Sequence, residues 1–111
     1  MQSFKLKIDM FKKNRGGYSR LLNVFCRKCN HLIVVYQKDG PGNLRRLYLD
    51  RIFLPKKLTN LESKQLKRIQ ILKCKKCNQI LGTHHIYEKE NRKAYRLYQD
   101  AVIKKVRRLR T

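Results

Sequence analysis

The fold of this 111-residue chain is decided by two stretches, Cys26-Arg27-Lys28-Cys29 and Cys74-Lys75-Lys76-Cys77, which contain all four of its cysteines. Two residues between the cysteines of a pair place two thiolates on one tight turn, where they can share a cation. Two such turns complete a tetrahedral shell of sulfurs, the arrangement of a structural zinc site. The basic residues inside the turns favour thiolate over thiol. The expected ligands of one structural zinc ion are Cys26, Cys29, Cys74 and Cys77.

Two other uses of paired cysteines fit this sequence less well. Two disulfides would suit a small secreted chain, but the N-terminal segment shows no apolar signal core. Redox chemistry of the thioredoxin type uses one pair beside a β-α-β pattern, which follows neither pair here; redox or iron–sulfur chemistry stays a minor alternative. A shell filled by sulfur leaves no open position for water, so we expect a structural zinc. His31, His84 and His85 lie near the pairs and are expected to be surface or packing residues rather than ligands.

The sequence after the first cysteine pair is repeated after the second. The matching stretches are Tyr36-Gln37-Lys38-Asp39 with Tyr87-Glu88-Lys89-Glu90, and Arg46-Leu47-Tyr48-Leu49-Asp50 with Arg96-Leu97-Tyr98-Gln99-Asp100. This repeat predicts two similar β units, each carrying one cysteine pair, which zinc joins about a pseudo-two-fold axis. Chance similarity between two basic, tyrosine-rich segments is the alternative.

Short apolar alternation, typical of strands, runs through most of the chain. It predicts strands within residues 4–11, 21–25, 32–36, 44–54 and 80–87, and favours strand over helix for residues 95–106. Turns are expected near residues 12–18 and 39–43, where glycines cluster. One short helix is predicted over residues 59–68 because Thr59 and Glu62 have capping-box spacing, with a basic loop as the alternative.

The predicted fold class is mainly β: two antiparallel β units clamped by one structural zinc, like a zinc ribbon or a β-tent, with at most one short helix. Residues 1–19 are expected to form a basic N-terminal strand and arm, residues 20–105 a single domain, and residues 106–111 a basic tail. Within the domain, halves at about 20–55 and 69–105 are joined by a linker at 56–68.

The second cysteine pair and the residues after it, Cys74-Lys75-Lys76-Cys77-Asn78-Gln79-Ile80-Leu81-Gly82, resemble the corresponding stretch of Yippee-like domains. The resemblance covers roughly residues 20–105. It implies a β-tent fold, in which two antiparallel sheets are clamped by one zinc ion held by two cysteine pairs. It implies no particular partner, because β-tent relatives bind quite different ones.

The net charge of +22, from 29 Lys and Arg against seven Asp and Glu, points to a polyanionic partner. A charge of one sign this large repels itself, and nucleic acid is the commonest partner that neutralises it. The sequence contains no helix-turn-helix or finger helix that would place side chains in a DNA major groove, whereas strands, loops and basic arms suit RNA. We predict a non-catalytic RNA-binding protein, in keeping with a component of a ribosome or ribonucleoprotein. A DNA- or transcription-associated zinc protein and a zinc-stabilised adaptor for an acidic protein are the alternatives.

The expected phosphate contacts are basic residues of the N-terminal arm, the cysteine pairs, the matching turns of the repeat and the C-terminal segment. They are Lys12, Lys13, Arg15, Arg20, Arg27, Lys28, Arg45, Arg46, Lys75, Lys76, Arg92, Arg96, Lys104, Lys105, Arg107, Arg108 and Arg110. A solvated basic arm is the alternative for the first of these groups. Four tyrosines of the repeat are expected in the core, and Tyr18 and Tyr95 are the ones free to stack on bases.

Catalysis is not expected, because the few acids form no cluster that could hold catalytic metal ions. Asp50 and Asp100, at matching positions of the repeat, are expected in structural ion pairs or on the surface. No apolar run approaches the ~18 residues of a membrane span, so no membrane partner is expected. An intracellular, cytoplasmic location is expected, with the nucleus or nucleoid left open.

Overall fold

The computed structural model describes residues 4–107, which form two four-stranded antiparallel sheets with little helix. Its helix and strands are α1 (Met10–Asn14), β1 (Ser19–Cys26), β2 (Leu32–Asp39), β3 (Arg46–Tyr48), β4 (Ile52–Leu54), β5 (Leu72–Lys73), β6 (Ile80–Tyr87), β7 (Arg92–Leu97) and β8 (Val102–Val106). The first sheet has the order β4-β2-β1-β8, and the second has the order β3-β7-β6-β5. The predicted mainly β class with two antiparallel sheets is therefore confirmed.

The first sheet is built around the β1–β2 hairpin, which carries the first cysteine pair. Leu22 lies opposite Tyr36, and Val24 lies opposite Val34. Because side chains alternate between the faces of a strand, these four share one face, and all four are buried in the main core. Strand β2 could be predicted from the sequence because it contains a short run of apolar, β-branched residues.

The main core lies between the two sheets and takes side chains from both. The first sheet contributes residues such as Leu22 and Val24, and the second contributes Leu47, Leu81 and Tyr95. One hydrogen bond ties the sheets together inside this core: the backbone N–H of Tyr48 donates to the hydroxyl of Tyr36 over 2.9 Å. Burial of that hydroxyl without a partner would be costly, so the bond supports this packing.

Strand pairing interlocks the two halves of the repeat. β3 of the first half pairs with β7 of the second, and β8 of the second half pairs with β1 of the first. Arg46 lies opposite Arg96, its counterpart in the repeat. The predicted pseudo-two-fold axis is nevertheless wrong for the sheets, because β7 pairs with β6 whereas β3 and β2 lie in different sheets. The two halves are therefore connected by strand pairing, independently of any metal that the cysteines could hold.

The predicted strands over 44–54 and 95–106 are each broken in the middle. Leu49–Arg51 forms a 3₁₀ turn between β3 and β4, and a turn with Asp100 at φ 59° separates β7 from β8. The two breaks fall at matching positions of the repeat, and at each the chain passes from the second sheet to the first. Strand rather than helix is confirmed for residues 95–106, apart from this turn.

The predicted strand at residues 4–11 is wrong, because residues 4–8 form no regular secondary structure and the short helix α1 begins at Met10. The Asp9 carboxylate accepts a hydrogen bond from the backbone N–H of Lys12 and so caps the helix. Ile8 and Met10, which completed the apolar alternation, are 81% and 72% exposed. Among residues 4–107, no helix is long and apolar enough to cross a membrane.

The arm lies across the outer face of the first sheet. Phe4 stacks on Phe53 of β4 with ring centroids 5.7 Å apart. The backbone of Lys7 both donates to and accepts from the side-chain amide of Gln37 on β2, over 2.7 and 2.9 Å. Leu21 and Val35 are buried on this outer face. The arm therefore covers part of the outer face of this sheet.

The predicted helix at residues 59–68 is also wrong, because this linker is a series of separate 3₁₀ turns. Asn60 takes a left-handed conformation, φ 61°, which interrupts helical geometry. The Thr59 hydroxyl donates back to the Lys56 carbonyl instead of capping a following helix. Leu61 is buried and Leu66 packs against the core, so single leucines anchor each turn.

Replacing Gly82 by alanine is expected to destabilise the fold by ~1–3 kcal/mol, the usual cost of forcing extra atoms into a packed core. Gly82 pairs with Leu97 on β7, and a Cβ there would lie 2.5 Å from the backbone carbonyl oxygen of Arg96. Thr83→Ala, which trims the next side chain without this clash, is the matched control. Urea unfolding of both variants tests this; equal losses of stability would contradict it.

Candidate metal centre and surrounding basic surface

The two cysteine pairs adopt the same local structure. In the first, the backbone N–H of Asn30 donates to the Cys26 carbonyl over 2.7 Å; in the second, that of Asn78 donates to the Cys74 carbonyl over 2.8 Å. Both asparagines are left-handed, with φ 66° and 64°, which asparagine tolerates better than most residues. The two halves are therefore similar at the cysteine pairs in backbone structure as well as in amino-acid sequence.

The four cysteine sulfurs meet in one cluster and all lie within 4.8 Å of one another. The contacts run between the pairs: Cys26 Sγ to Cys77 Sγ is 3.7 Å, and Cys29 Sγ to Cys74 Sγ is 3.4 Å. A disulfide bond is ~2.05 Å long, so these cysteines are free thiols rather than two disulfides. Cys26 and Cys74 are fully buried, and the cluster could hold a metal ion.

The sulfurs perturb one another's ionisation. Burial raises the pKa of Cys74, but hydrogen bonds from the backbone N–H groups of Cys77 and Lys76 and the neighbouring sulfurs outweigh it and lower the pKa to about 7. For Cys29, a backbone hydrogen bond at His31 lowers the pKa, but burial and the neighbouring sulfurs raise it to about 12. One thiol of the cluster thus ionises more readily than its neighbour, because a second negative charge close by is disfavoured.

The three histidines lie outside the sulfur cluster as far as the described residues show. His31 is exposed in the first cysteine turn, and His84 and His85 are half-buried on β6, opposite Tyr95 and Ala94. Burial, then the nearby Arg46 and Arg96, lower the pKa of His85. These positions agree with the prediction of surface and packing histidines.

The basic residues inside the cysteine turns surround the sulfurs on the surface. All of them are exposed: Arg27, Lys28, Lys75 and Lys76. Because the sulfurs of the two turns meet, the turns place these cations at one end of the molecule. Their charges oppose the negative charge that a four-thiolate site would carry.

The other predicted phosphate contacts differ widely in exposure. Lys13, Arg45, Arg96 and Lys105 are exposed, whereas half-buried positions are held by Lys12, Arg15, Arg20, Arg46, Lys104 and Arg107. Arg108 and Arg110 lie outside the described residues. The basic C-terminal cluster is therefore described only in part, and its first residues belong to β8 and the position after it.

Arg92 requires a correction, because it is a buried structural residue. Its guanidinium lies 3.9 Å from the Tyr48 ring centroid and 4.0 Å from that of Phe11. It donates to Asp50 over 2.7 Å and to Glu90 over 3.3 Å. Asp50 is thus in a structural ion pair, as predicted, with Arg92 as its partner.

Ion pairs take up most of the acids but few of the bases. The participants within residues 4–107 are Arg15, Arg51, Arg92, Asp9, Asp39, Asp50 and Glu90. These pairs use four of the seven acids and only three of the 29 Lys and Arg. The acids concentrate where the arm meets the sheets, so the remaining surface is more basic than the composition alone indicates.

A cleft of about 1180 Å³, not predicted from the sequence, lies beside the cysteine cluster. Its walls include β2, β4 and the linker, with apolar residues such as Ile33, Leu54 and Ile71. Its cationic residues, all exposed, are Lys56, Lys57, Lys64, Arg68, Lys73 and Lys75. Among the described residues that line it there is no Asp or Glu. The basic linker was the signal that could have located it.

The division of the tyrosines into buried and exposed residues differs in part from the prediction. Tyr36 and Tyr48 are buried, as predicted, but Tyr98 is 50% exposed. Tyr95, predicted as free to stack on bases, is only 2% exposed and belongs to the core. Tyr18, 55% exposed, remains available. The error at Tyr95 arises because the sequence does not reveal which face of β7 packs against the core, and Tyr95 lies on that face while Arg96, next to it, is exposed.

Comparisons with protein-family models, with curated proteins and with solved structures find no match to this chain. The resemblance to Yippee-like domains therefore has no support from a family match. Two antiparallel sheets and a cluster of four cysteines that could bind a metal are compatible with a cysteine-ligated metal domain.

Proposed function

We propose that this chain is a non-catalytic, zinc-stabilised protein that binds RNA mainly through phosphate contacts. The observation that carries the proposal is the cleft beside the cysteines, with six cations and, among its described residues, no acid. The other supports are the net charge of +22 and the use of four acids in internal ion pairs. Together these observations indicate a positively charged surface around the cleft, which would attract anions.

Zinc is the metal that fits the donor set best. A shell of four thiolates is typical of structural zinc, whereas harder cations prefer oxygen ligands. Four sulfurs placed tetrahedrally ~2.3 Å from one zinc ion lie ~3.8 Å apart, close to the 3.7 and 3.4 Å between the nearest pairs here. When bound, the ion would join the two cysteine turns and hold the thiolates ionised. All four coordination positions of the ion would be filled by sulfur, so none would be left for a water molecule, which agrees with a structural role.

RNA is favoured over duplex DNA by the shape of the basic surface. The described α-helix, Met10–Asn14, is too short to read a major groove as recognition helices do. A groove of cations with apolar walls instead suits a single strand, whose phosphates follow the cations while its bases contact the walls. Exposed lysines of the linker line this groove near one cysteine turn.

Neutralising two cleft lysines is expected to reduce the salt dependence of RNA binding. For a single-stranded RNA, the slope of log affinity against log salt should fall in magnitude by ~1.4 in Lys56→Gln/Lys57→Gln, or ~0.7 per lost contact. The matched control is Lys5→Gln/Lys89→Gln, which removes two exposed lysines that do not line the cleft. Fluorescence anisotropy of a labelled RNA, titrated with the full zinc-loaded chain at several salt concentrations, gives the slopes.

Three results would contradict the proposal. If the cleft variant and the control variant changed the slope of log affinity against log salt equally, RNA would be held by diffuse attraction to the whole surface rather than by the cleft. Tighter binding of duplex DNA than of single-stranded RNA would replace RNA by DNA as the partner. Displacement of the RNA by an acidic protein at much lower concentration would replace it by the adaptor function.

A further inference from the structure

A second, smaller cavity lies at the end of β2 that is far from the cysteines. It has a volume of about 90 Å³ and lies between the arm, the turn after β2, and β3. The cations that line it are Arg15, Lys38, Arg45 and Arg46. The one acid in its lining, Asp39, already accepts hydrogen bonds from Ser19, Gln37 and Arg51. The cavity is therefore strongly positive, and its own carboxylate is occupied elsewhere.

Two arginines of this cavity are held in place yet keep buried donors without a partner. Arg15 donates through its terminal nitrogen to the Tyr48 hydroxyl over 2.9 Å and to Glu90 over 2.5 Å. The Arg46 guanidinium lies 4.3 Å from the ring centroid of Tyr87. The Nε atoms of both arginines are buried and have no hydrogen-bond partner. Among the described residues Arg46 forms no ion pair, so its charge remains available to an anion in the cavity.

Lys38 adds a buried ammonium group with no carboxylate partner among the described residues. Its side chain is 8% exposed, and Nζ donates to the carbonyl oxygens of Gly40 and Pro41, both over 3.1 Å. Since an ammonium has three N–H donors, one is left. Burial, followed by the like charges of Arg20, Lys104 and Arg15, lowers the pKa of Lys38. An anion in the cavity would offset both the burial and the repulsion.

The backbone fixes this arrangement in advance of binding. Gly40 has φ +77°, and a Cβ at that position would lie 2.9 Å from the carbonyl oxygen of Arg15. The Gly40 N–H also donates to the Tyr18 carbonyl over 2.6 Å. Glycine thus lets the turn and the arm approach closely, which places Arg15 and Lys38 in the walls of one cavity.

We propose that this cavity binds a single phosphate dianion, either free phosphate or the terminal phosphate of a nucleic-acid strand. Its volume is well below the ~300 Å³ at which pockets for whole small molecules begin, so it suits one anionic group rather than a nucleoside. Arginine forks match phosphate oxygens, and a dianion compensates more of the positive charge than a phosphodiester does. The inference goes beyond the RNA-binding proposal, because phosphate can bind here whether or not the cleft binds RNA.

The test uses the full zinc-loaded chain at constant ionic strength, with inorganic phosphate as the first probe in isothermal titration calorimetry. We expect one site per chain, weakened more than tenfold by Arg46→Gln and by Lys38→Met. The matched control is Arg96→Gln, which removes the same charge from the residue opposite Arg46 and outside this cavity. Because Lys38 is buried and its variant could unfold, Arg46→Gln is the deciding variant. Absence of phosphate binding, or equal weakening by Arg46→Gln and Arg96→Gln, would overturn the proposal.

A second pair of probes distinguishes the two sources of phosphate. The same RNA oligonucleotide is titrated with a 5′-phosphate and with a 5′-hydroxyl end. If the phosphate improves affinity at least tenfold in the wild type but not in Arg46→Gln, the cavity holds a strand terminus. If the two ends bind alike while inorganic phosphate still depends on Arg46, the cavity holds free phosphate. Failure of both oligonucleotides to bind refutes the RNA proposal alone.

Discussion

Cys74→Ser is expected to abolish metal binding and cooperative unfolding together. Cys74 is fully buried, and its sulfur lies 3.4 Å from that of Cys29 in the other pair. Structural zinc contributes ~10–16 kcal/mol of apparent binding free energy in small domains. The net stability of a typical domain is only ~5–15 kcal/mol, so the chain should not remain folded once the metal is lost.

Metal content per chain, measured by elemental mass spectrometry, and thermal unfolding, followed by circular dichroism, test this expectation on the same samples. The control is His31→Ala, which changes an exposed residue next to the first cysteine pair and should retain both properties. Removing zinc from the wild type with a chelator should reproduce the variant. A Cys74→Ser protein that stays folded with one zinc ion per chain would rule out the four-cysteine site.

Arg51→Met is expected to destabilise the protein by ~3–5 kcal/mol, because it leaves a buried charge without its partner. The Arg51 side chain is 1% exposed; it donates from Nε to Asp39 over 2.9 Å and from a terminal nitrogen to Asp9 over 2.6 Å. Asp39 is itself only 4% exposed, so water cannot replace the lost cation. The pair with Asp9 also ties the arm to the sheets.

Urea unfolding measures the loss, and Arg96→Met, at an exposed position, is the control. The double variant Arg51→Met/Asp39→Asn should lose less stability than the sum of the single changes, since it removes both charges of one pair. Additive losses, or an Arg51→Met protein as stable as the control, would show that the pair contributes nothing specific.

The same ion pairs predict how stability depends on pH. For Asp9, the hydrogen bond from Arg51 is the main cause that lowers the pKa; for Asp39, burial raises the pKa, but hydrogen bonds from Ser19, Gln37 and Arg51 outweigh it. Carboxyl groups with lowered pKa stabilise the fold above their ordinary value of 3.8 and lose this effect as the pH falls through their lower folded values. Wild-type stability should therefore fall below about pH 4, more steeply than that of Arg51→Met.

The parts of the fold that could be predicted are those whose determinants are local. The cysteine turns depend on a few adjacent residues, and β2 depends on a compact β-branched run. The strand predicted for the arm is wrong because the residues that the arm contacts, Phe53, Gln37 and Arg51, are distant from it in the sequence. Alternation of apolar residues predicts a strand only when one face is buried, and Ile8 and Met10 are exposed.

For the candidate sites as well, only the features set by adjacent residues could be predicted from the sequence. The four sulfurs could be assigned from spacing alone, whereas the cleft is built from β2, β4 and the linker, which the sequence does not place side by side. Charge counting marked the linker as basic without showing which lysines share a groove. It also could not separate Arg92, buried between two aromatic rings, from the exposed arginines near it in the sequence.

The pairing of β8 with β1 has a consequence for how the protein is made. Strand β1, Ser19–Cys26, is synthesised before the strand that covers one of its edges, Val102–Val106, because the second strand lies much later in the chain. Until then, β1 presents unpaired N–H and C=O groups, a surface on which another chain can add a strand. A translation product that stops before Val102 would keep that edge permanently, so incomplete chains are the ones most prone to aggregate.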